Sequence, residues 1–260
     1  LEKYDIAILP LHILLGETEY RDGVDITPEE IFRWSDENKT TPKTSAPSMT
    51  EAMEVMKPFL DEGREIICFS ISDSMSTSGN VMRLAAEELE ASDRVTVINS
   101  ANLSTGIGLQ VIQAAILSAE GKTRAQITAA IEEIRPRVRA SFTVDTLTYL
   151  YRGGRCNAVA ALAGTMLKLH PRIVVEDGAM DASKKYRGKL GSVILSYTKD
   201  MEEDLKNAVP DRVFITHSGC DREIVESVRS YLESLGIFNE ILETRAVSVR
   251  DWQTYLLQML

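Results

Sequence analysis

Cysteine is scarce in this chain, and the three present, Cys68, Cys156 and Cys220, lie far apart with no CxxC spacing. That excludes a paired-cysteine zinc site and a disulfide framework, and a reducing cytosol is the expected compartment. Long apolar runs are missing too. Ile6–Leu15, interrupted by Pro10 and His12, and Ala158–Leu167 are both too short to span a bilayer, and no charged n-region leads a hydrophobic segment, so no stable membrane insertion is expected. Positive charge is thin: the net charge is -10 and no block of five like charges occurs. A nucleic-acid partner is therefore not expected, because phosphate neutralisation needs clustered Lys and Arg. There is no GxSxG elbow, no HExxH and no P-loop, so no catalytic residue, metal or cofactor is assigned. The first residue is Leu1 rather than Met, and a start further upstream is expected.

What is present is an alternation. At 260 residues the chain holds one large domain or two small ones. Short β-rich runs fall at Ile6–Leu9, Ile66–Ile71, Val95–Ile98, Ala140–Val144, Arg172–Val175, Val193–Tyr197, Val213–His217 and Glu240–Glu243. Several are continuously apolar, as strands are when both sheet faces are covered. Helical patterns sit between them. Met82, Ala85, Ala86 and Leu89 share one face, as do Ile224, Val225, Val228, Tyr231, Leu232 and Leu235, with Gly236 as the stop. Ser48-Met49-Thr50-Glu51 is a capping box that starts a helix at Met49, and a further helix is expected from Arg124 to Ile134. The alternation predicts an α/β protein with mostly parallel sheet.

The segment "ICFSISDSMSTSGNVMRLAAEEL", Ile67 to Leu89, passes from strand through a serine-rich loop into a helix. Six hydroxyls lie between Ser70 and Ser78, with no Lys or Arg among them. A helix N-terminus beyond a strand's carboxyl end favours an anion. Ser74, Ser76, Thr77 and Ser78 supply hydroxyl donors, and Gly79 admits close backbone approach. A phosphate would recruit a Lys or Arg, whereas neutral donors suffice for one carboxylate. A solvated, self-capped loop is the other reading. "TTPKTSAPSMTEAM", Thr40 to Met53, offers Thr44 and Ser45 ahead of the Ser48 cap and reads equally as a plain capping segment. "VINSANLSTGIGL", Val97 to Leu109, is a further strand-to-loop junction, and its lone GxG does not make a dinucleotide site. In "YRGGRCN", Arg155 is either a bidentate carboxylate fork or a surface arginine. "KKYRGK", Lys184 to Lys189, is either a solvated turn or a docking patch built on Lys184, Lys185, Arg187 and Lys189. His217, in "FITHSGCD", is an acid/base candidate or a structural histidine, while His12 and His170 read as structural.

Together these segments resemble the DegV family, bacterial fatty-acid-binding proteins that serve a fatty-acid kinase. The resemblance rests on "LPLHILLGETEYRDGVDI" (Leu9 to Ile26), "TSAPS", "SDSMSTSGN", "NSANLSTGIG", "SFTVDTLTYLYRGGR", "DASKKYRGK" and "THSGCD", and it spans most of the chain. It implies a two-lobed α/β fold, with mostly parallel sheet in an N-terminal lobe (1–145) and mixed sheet with helices in a C-terminal lobe (146–260). It also implies a long-chain fatty acid in an apolar tunnel as the only bound group. The carboxylate would sit near the lobe junction, held by Thr44 or Ser45, by a serine among Ser74, Ser76 and Ser78 beside Gly79, and by Arg155. A kinase catalytic subunit would phosphorylate the bound acid, so the chain itself would be a cytoplasmic carrier and not the catalyst. Burying ~14 methylenes at roughly 0.8 kcal/mol each gives about 11 kcal/mol of gross driving force. Two features depart from the family: the opening Thr-Asp-Ser strand is absent, and "ETRAVSVRDWQTYLLQML" stands in place of a closing His-x-Gly-Pro-Gly segment. Both ends are expected to weaken the site. The alternatives are a hydrolase or phosphotransfer subunit using the serine loop with His217, and a regulatory protein whose lipid site has decayed.

Overall fold

The computed structural model describes residues 4–144, 150, 154 and 169–245, together with the backbone of 254–259. The chain divides into two units, Leu1–Pro136 and Arg137–Leu260.

The first unit opens with a hairpin, β1 (His12–Leu15) and β2 (Thr18–Arg21), turned at Gly16, whose φ of 66° suits glycine. Next come α1 (Pro28–Asn38), β3 (Lys43–Ser45), which pairs antiparallel with β1, and α2 (Met49–Asp61). Then follow β4 (Ile66–Ser70), α3 (Ser78–Glu88), β5 (Val95–Asn99), α4 (Ser104–Ala119) and α5 (Arg124–Ile134). The capping box at Ser48 forms as the sequence indicates, and Thr27 and Thr123 make the same reciprocal bond at the starts of α1 and α5.

β4 and β5 are parallel, in register from Ile66↔Val95 to Ser70↔Asn99. Their continuous apolarity has a direct cause. Ile66 and Cys68 pack on the α2–α3 core of Ala52, Met56, Leu60, Met82, Ala85 and Ala86. Ile67 and Phe69 pack on the opposite core of Ile98, Ala114, Ile127 and Ile131, from β5, α4 and α5. Both faces are covered, so neither can be polar. Arg124 fastens α5 to this pair, donating to Glu65 (2.8 Å), to the Thr96 hydroxyl (2.6 Å) and to the Asp93 carbonyl.

The second unit carries a six-stranded sheet in the order β10-β9-β11-β6-β7-β8. Its strands are β6 (Arg139–Val144), β7 (Leu169–Glu176), β8 (Ala179–Arg187), β9 (Arg212–His217), β10 (Glu240–Arg245) and β11 (Thr254–Met259). Only β9–β10 is parallel; the other pairings are antiparallel, which makes this the mixed sheet expected of the second lobe. Helices α6 (Leu190–Asp200), α7 (Glu202–Lys206) and α8 (Arg222–Leu235) supply Val193, Ile194, Tyr197, Met201, Leu205, Val225, Val228 and Leu232 to one core with Val213 and Ile215 of β9. Gly236 ends α8 in the left-handed region at φ 63°, as read from the sequence.

Two expected strands are corrected. Val193–Tyr197 is helical, inside α6: Val193, Ile194, Tyr197 and Met201 are all buried and recur at helical spacing, which outweighs a local β-branched preference. Ile6–Leu9 forms no strand; Ile8 is 57% exposed, and the run ends at Pro10. The sheet β2-β1-β3 was missed because its strands are only three and four residues long.

Candidate functional site

The carboxyl ends of β4 and β5 lie side by side, and each leads through a polar loop into a helix. The loops are stitched together. Ser72 N–H donates to the Asn102 carbonyl (2.9 Å), and Asn99 Oδ1 accepts from Asp73 N–H (3.3 Å) and Ala101 N–H (2.9 Å). The buried Gln110 side chain reaches back from α4 to the Ser100 carbonyl at 2.9 Å.

Within the serine loop the hydroxyls form two pairs. Ser72 and Ser74 share a hydrogen bond at 3.2 Å, and Ser76 and Ser78 share one at 2.8 Å. Ser78 N–H also donates to Ser76 Oγ at 3.3 Å. Thr77, at the N-cap of α3, makes no side-chain capping bond. Both helices start from the carboxyl end of the β4–β5 pair with hydroxyls to hand, an arrangement suited to an anion. Gly79 is required here: a Cβ would lie 2.5 Å from Asp73 Oδ1 and 2.8 Å from Ser70 Oγ. Gly106 plays the same part in α4, where a Cβ would lie 2.1 Å from Asn102 Oδ1. Ala101 and Ser104 take φ of 49° and 50°, conformations that cost about 1–3 kcal/mol each in a non-glycine residue.

The structure adds residues that the sequence did not announce. Asn102, buried, accepts Leu103 N–H at 3.0 Å and shapes the start of α4. Arg83 donates to Asp73 at 3.0 Å, so the cation missing from the loop arrives from the next helix and neutralises the loop's own carboxylate. A separation of 10 residues hides that pair; only the turn of α3 brings the two together.

Thr44 and Ser45 lie on β3, opposite Ile13 and His12 respectively. Ser48 is committed to its capping box, accepting Glu51 N–H at 3.2 Å and donating to Glu51 Oε2 at 2.7 Å. That bonding holds the Glu51 carboxyl at about 2, with His12 adding to it. His12 Nε2 lies 2.8 Å from Glu51 Oε1 and its Nδ1 lies 2.6 Å from Glu19 Oε1. The segments bearing Thr44–Ser45 and the serine loop thus precede α2 and α3, which pack on one another. Arg155 lies outside the described residues, as do Cys156 and the apolar run at 158–167.

His217 closes β9 and meets Glu243 at 3.3 Å. Glu243 also receives Arg222 (2.8 Å) and Arg229 (3.1 Å). Burial pushes the Glu243 carboxyl up, but Arg229, His217 and Arg222 together bring it below its ordinary value. This cluster ties β10 to α8. Ser76 is engaged with Ser78 in the first unit and His217 with Glu243 in the second. Burial lifts the Cys68 thiol to about 12, which leaves it inert as a nucleophile.

The basic cluster lies on and just after β8, an edge strand. Lys184 is occupied: its Nζ donates to Asp200 at 2.6 Å and lies 5.4 Å from the centroid of the Tyr186 ring. Lys185, Arg187 and Lys189 are exposed. No helix among the described residues is long and apolar enough to cross a membrane.

Comparison with known proteins places this geometry in context. A family model described as uncharacterised protein, DegV family, matches residues 1–249. A DegV domain-containing protein of Deinococcus radiodurans is 34% identical over 181 residues, 70% of this chain and 64% of that protein, so the match spans just under two thirds of the relative. A Thermus thermophilus DegV family protein, solved as a fatty-acid binder, superposes with a TM-score of 0.90 at 28% identity, covering 99% of this chain and 92% of the other. A stearic-acid-binding protein of Eubacterium ventriosum gives a TM-score of 0.83 at 29% identity, with coverage of 99% and 92%.

Proposed function

The chain belongs to the DegV family, and from that premise we propose that it binds one long-chain fatty acid, shelters the acyl chain in an apolar tunnel and presents the carboxylate to a fatty-acid kinase in the cytosol. The observation that carries this reading is the pair of adjoining strand–loop–helix junctions, rich in hydroxyls, at the carboxyl ends of the parallel strands β4 and β5. Neutral donors hold a carboxylate while leaving its oxygen nucleophilic enough to take a phosphoryl group. We assign the carboxylate to the Ser74–Ser78 loop with Gly79, to Thr44 or Ser45, and to Arg155. The chain is then a carrier, and the partner kinase supplies the chemistry. Lys185, Arg187 and Lys189 are the proposed kinase contact, with Lys184 serving the fold.

The test is mass spectrometry of an organic extract from the purified protein, followed by uptake of oleate or palmitate. About one fatty acid per chain is expected. An empty extract with no uptake would overturn the carrier reading, and turnover across a panel of acyl esters would then favour a hydrolase.

A further inference from the structure

His12 makes contacts on three elements. It pairs with Ser45 of β3 in the ladder, and its side chain bridges Glu19 of β2 and Glu51 of α2 at 2.6 and 2.8 Å. An ionised carboxylate only accepts hydrogen bonds, so each ring nitrogen has to donate. A neutral imidazole carries one N–H, and only the imidazolium satisfies both contacts at once. Glu51 is ionised, because its other oxygen takes the Ser48 N–H (2.8 Å) and the Ser48 hydroxyl (2.7 Å). A continuous chain results: Glu19, His12, Glu51, Ser48. The segment Ser45-Ala46-Pro47-Ser48 is consequently fixed by His12 at both ends, through the strand pairing at Ser45 and through Glu51 at Ser48.

We propose that His12, protonated on both ring nitrogens, is a positioning residue for the Thr44–Ser48 segment and makes fatty-acid binding dependent on pH, with the ligand held at neutral pH and released as the pH rises. This rests on the carrier reading above. The ring touches Glu19 from β2 and Glu51 from α2; Arg21 of β2 is the partner of His12 across the ladder, and Lys43 of β3 stands opposite Leu14. Arg21 is clamped on Asp25 at 2.8 and 2.9 Å, so it offsets Glu19 and Glu51 little. Burial pulls the pKa of His12 down, but its hydrogen bonds and charge attraction to Glu51 and Glu19 outweigh that and leave it above 6.5. The bridge therefore stabilises fully below the unfolded value of 6.5 and is lost as the pH climbs through the higher folded value.

The experiment uses the full chain and two readouts. Imidazole 15N NMR should show both ring nitrogens of His12 protonated at neutral pH. Glu51→Gln should lower the titration midpoint while keeping the cap, since glutamine also serves at the third position of a capping box. Oleate affinity, followed from about pH 6 to about pH 9, should fall by about tenfold in the native protein and stay flat in Glu51→Gln and His12→Gln. A neutral ring at pH 7, or an unchanged pH profile in Glu51→Gln, overturns the proposal. Absence of oleate binding at every pH overturns the carrier reading and the ligand half of this proposal with it, whereas the NMR titration judges the bridge independently.

Discussion

At the scale of single residues, the site turns on hydroxyls and on two glycines without room for a methyl group. Gly79→Ala would drive a Cβ toward the Asp73 carboxylate, which Arg83 already holds at 3.0 Å. Asp73 has to swing away and drag the serine loop with it. Oleate affinity should drop at least tenfold, while the far-UV circular dichroism spectrum stays native; unchanged affinity would show that the loop does not touch the ligand. Ser76→Ala removes the hydroxyl paired with Ser78 and one acceptor for Ser78 N–H. A hydrogen bond to a charged group is worth about 1.5–3 kcal/mol, so calorimetry should find affinity reduced by roughly tenfold to a hundredfold. The hydroxyls were legible in the sequence because they are dense and sit between an apolar run and a helical pattern. Asn102 and the Asp73–Arg83 pair were not, since neither has a local spacing rule; they meet only once β4 and β5 align and α3 turns.

At the scale of elements, the start signals were the most reliable marks. Ser48-Met49-Thr50-Glu51 and the Arg124–Ile134 helix stand where local hydrogen-bonding chemistry puts them, because a capping box needs no tertiary help. Val193–Tyr197 failed as a strand because its β-branched residues fit either structure in isolation. The decision comes from Met201 and Leu205 beyond it and from the β9 face it covers. Tyr197 tests this packing. Its hydroxyl donates to the Ser141 carbonyl at 2.7 Å and lies 2.8 Å from the Ser141 hydroxyl, all within the core. Tyr197→Phe leaves these buried groups short of a partner and should cost about 1–3 kcal/mol in urea unfolding with the m-value unchanged. Ser48→Ala should cost about 1 kcal/mol by loss of the cap. It should also free Glu51 from the bonds that hold its carboxyl at about 2. The Glu51 contribution to native stability is full above pH 4.5 and fades as the pH falls toward about 2, so Ser48→Ala should flatten the acid limb of a stability-against-pH curve.

At the scale of the whole molecule, a chain of net charge -10 keeps a local concentration of positive charge on and beside an edge strand. A sheet edge invites pairing with another chain, and lysines on it oppose that. Solubility alone is thus one sufficient reason for such residues, and recognition of an acidic kinase surface is another. The two separate cleanly because Lys184 is spent on Asp200 and Tyr186, whereas Lys185, Arg187 and Lys189 are exposed. Reversing the three exposed charges to glutamate should leave oleate affinity and thermal stability within error. It should slow phosphorylation of the bound acid by the kinase at low salt by at least tenfold, and the deficit should shrink as salt screens both variants. Lys184→Glu should instead set a second carboxylate beside Asp200 and lower the melting temperature, with a smaller effect on phosphorylation of the folded fraction. Equal phosphorylation by the triple variant and the native protein at every ionic strength would free this edge from any role in recognition and leave protection against edge pairing as its reason for being basic.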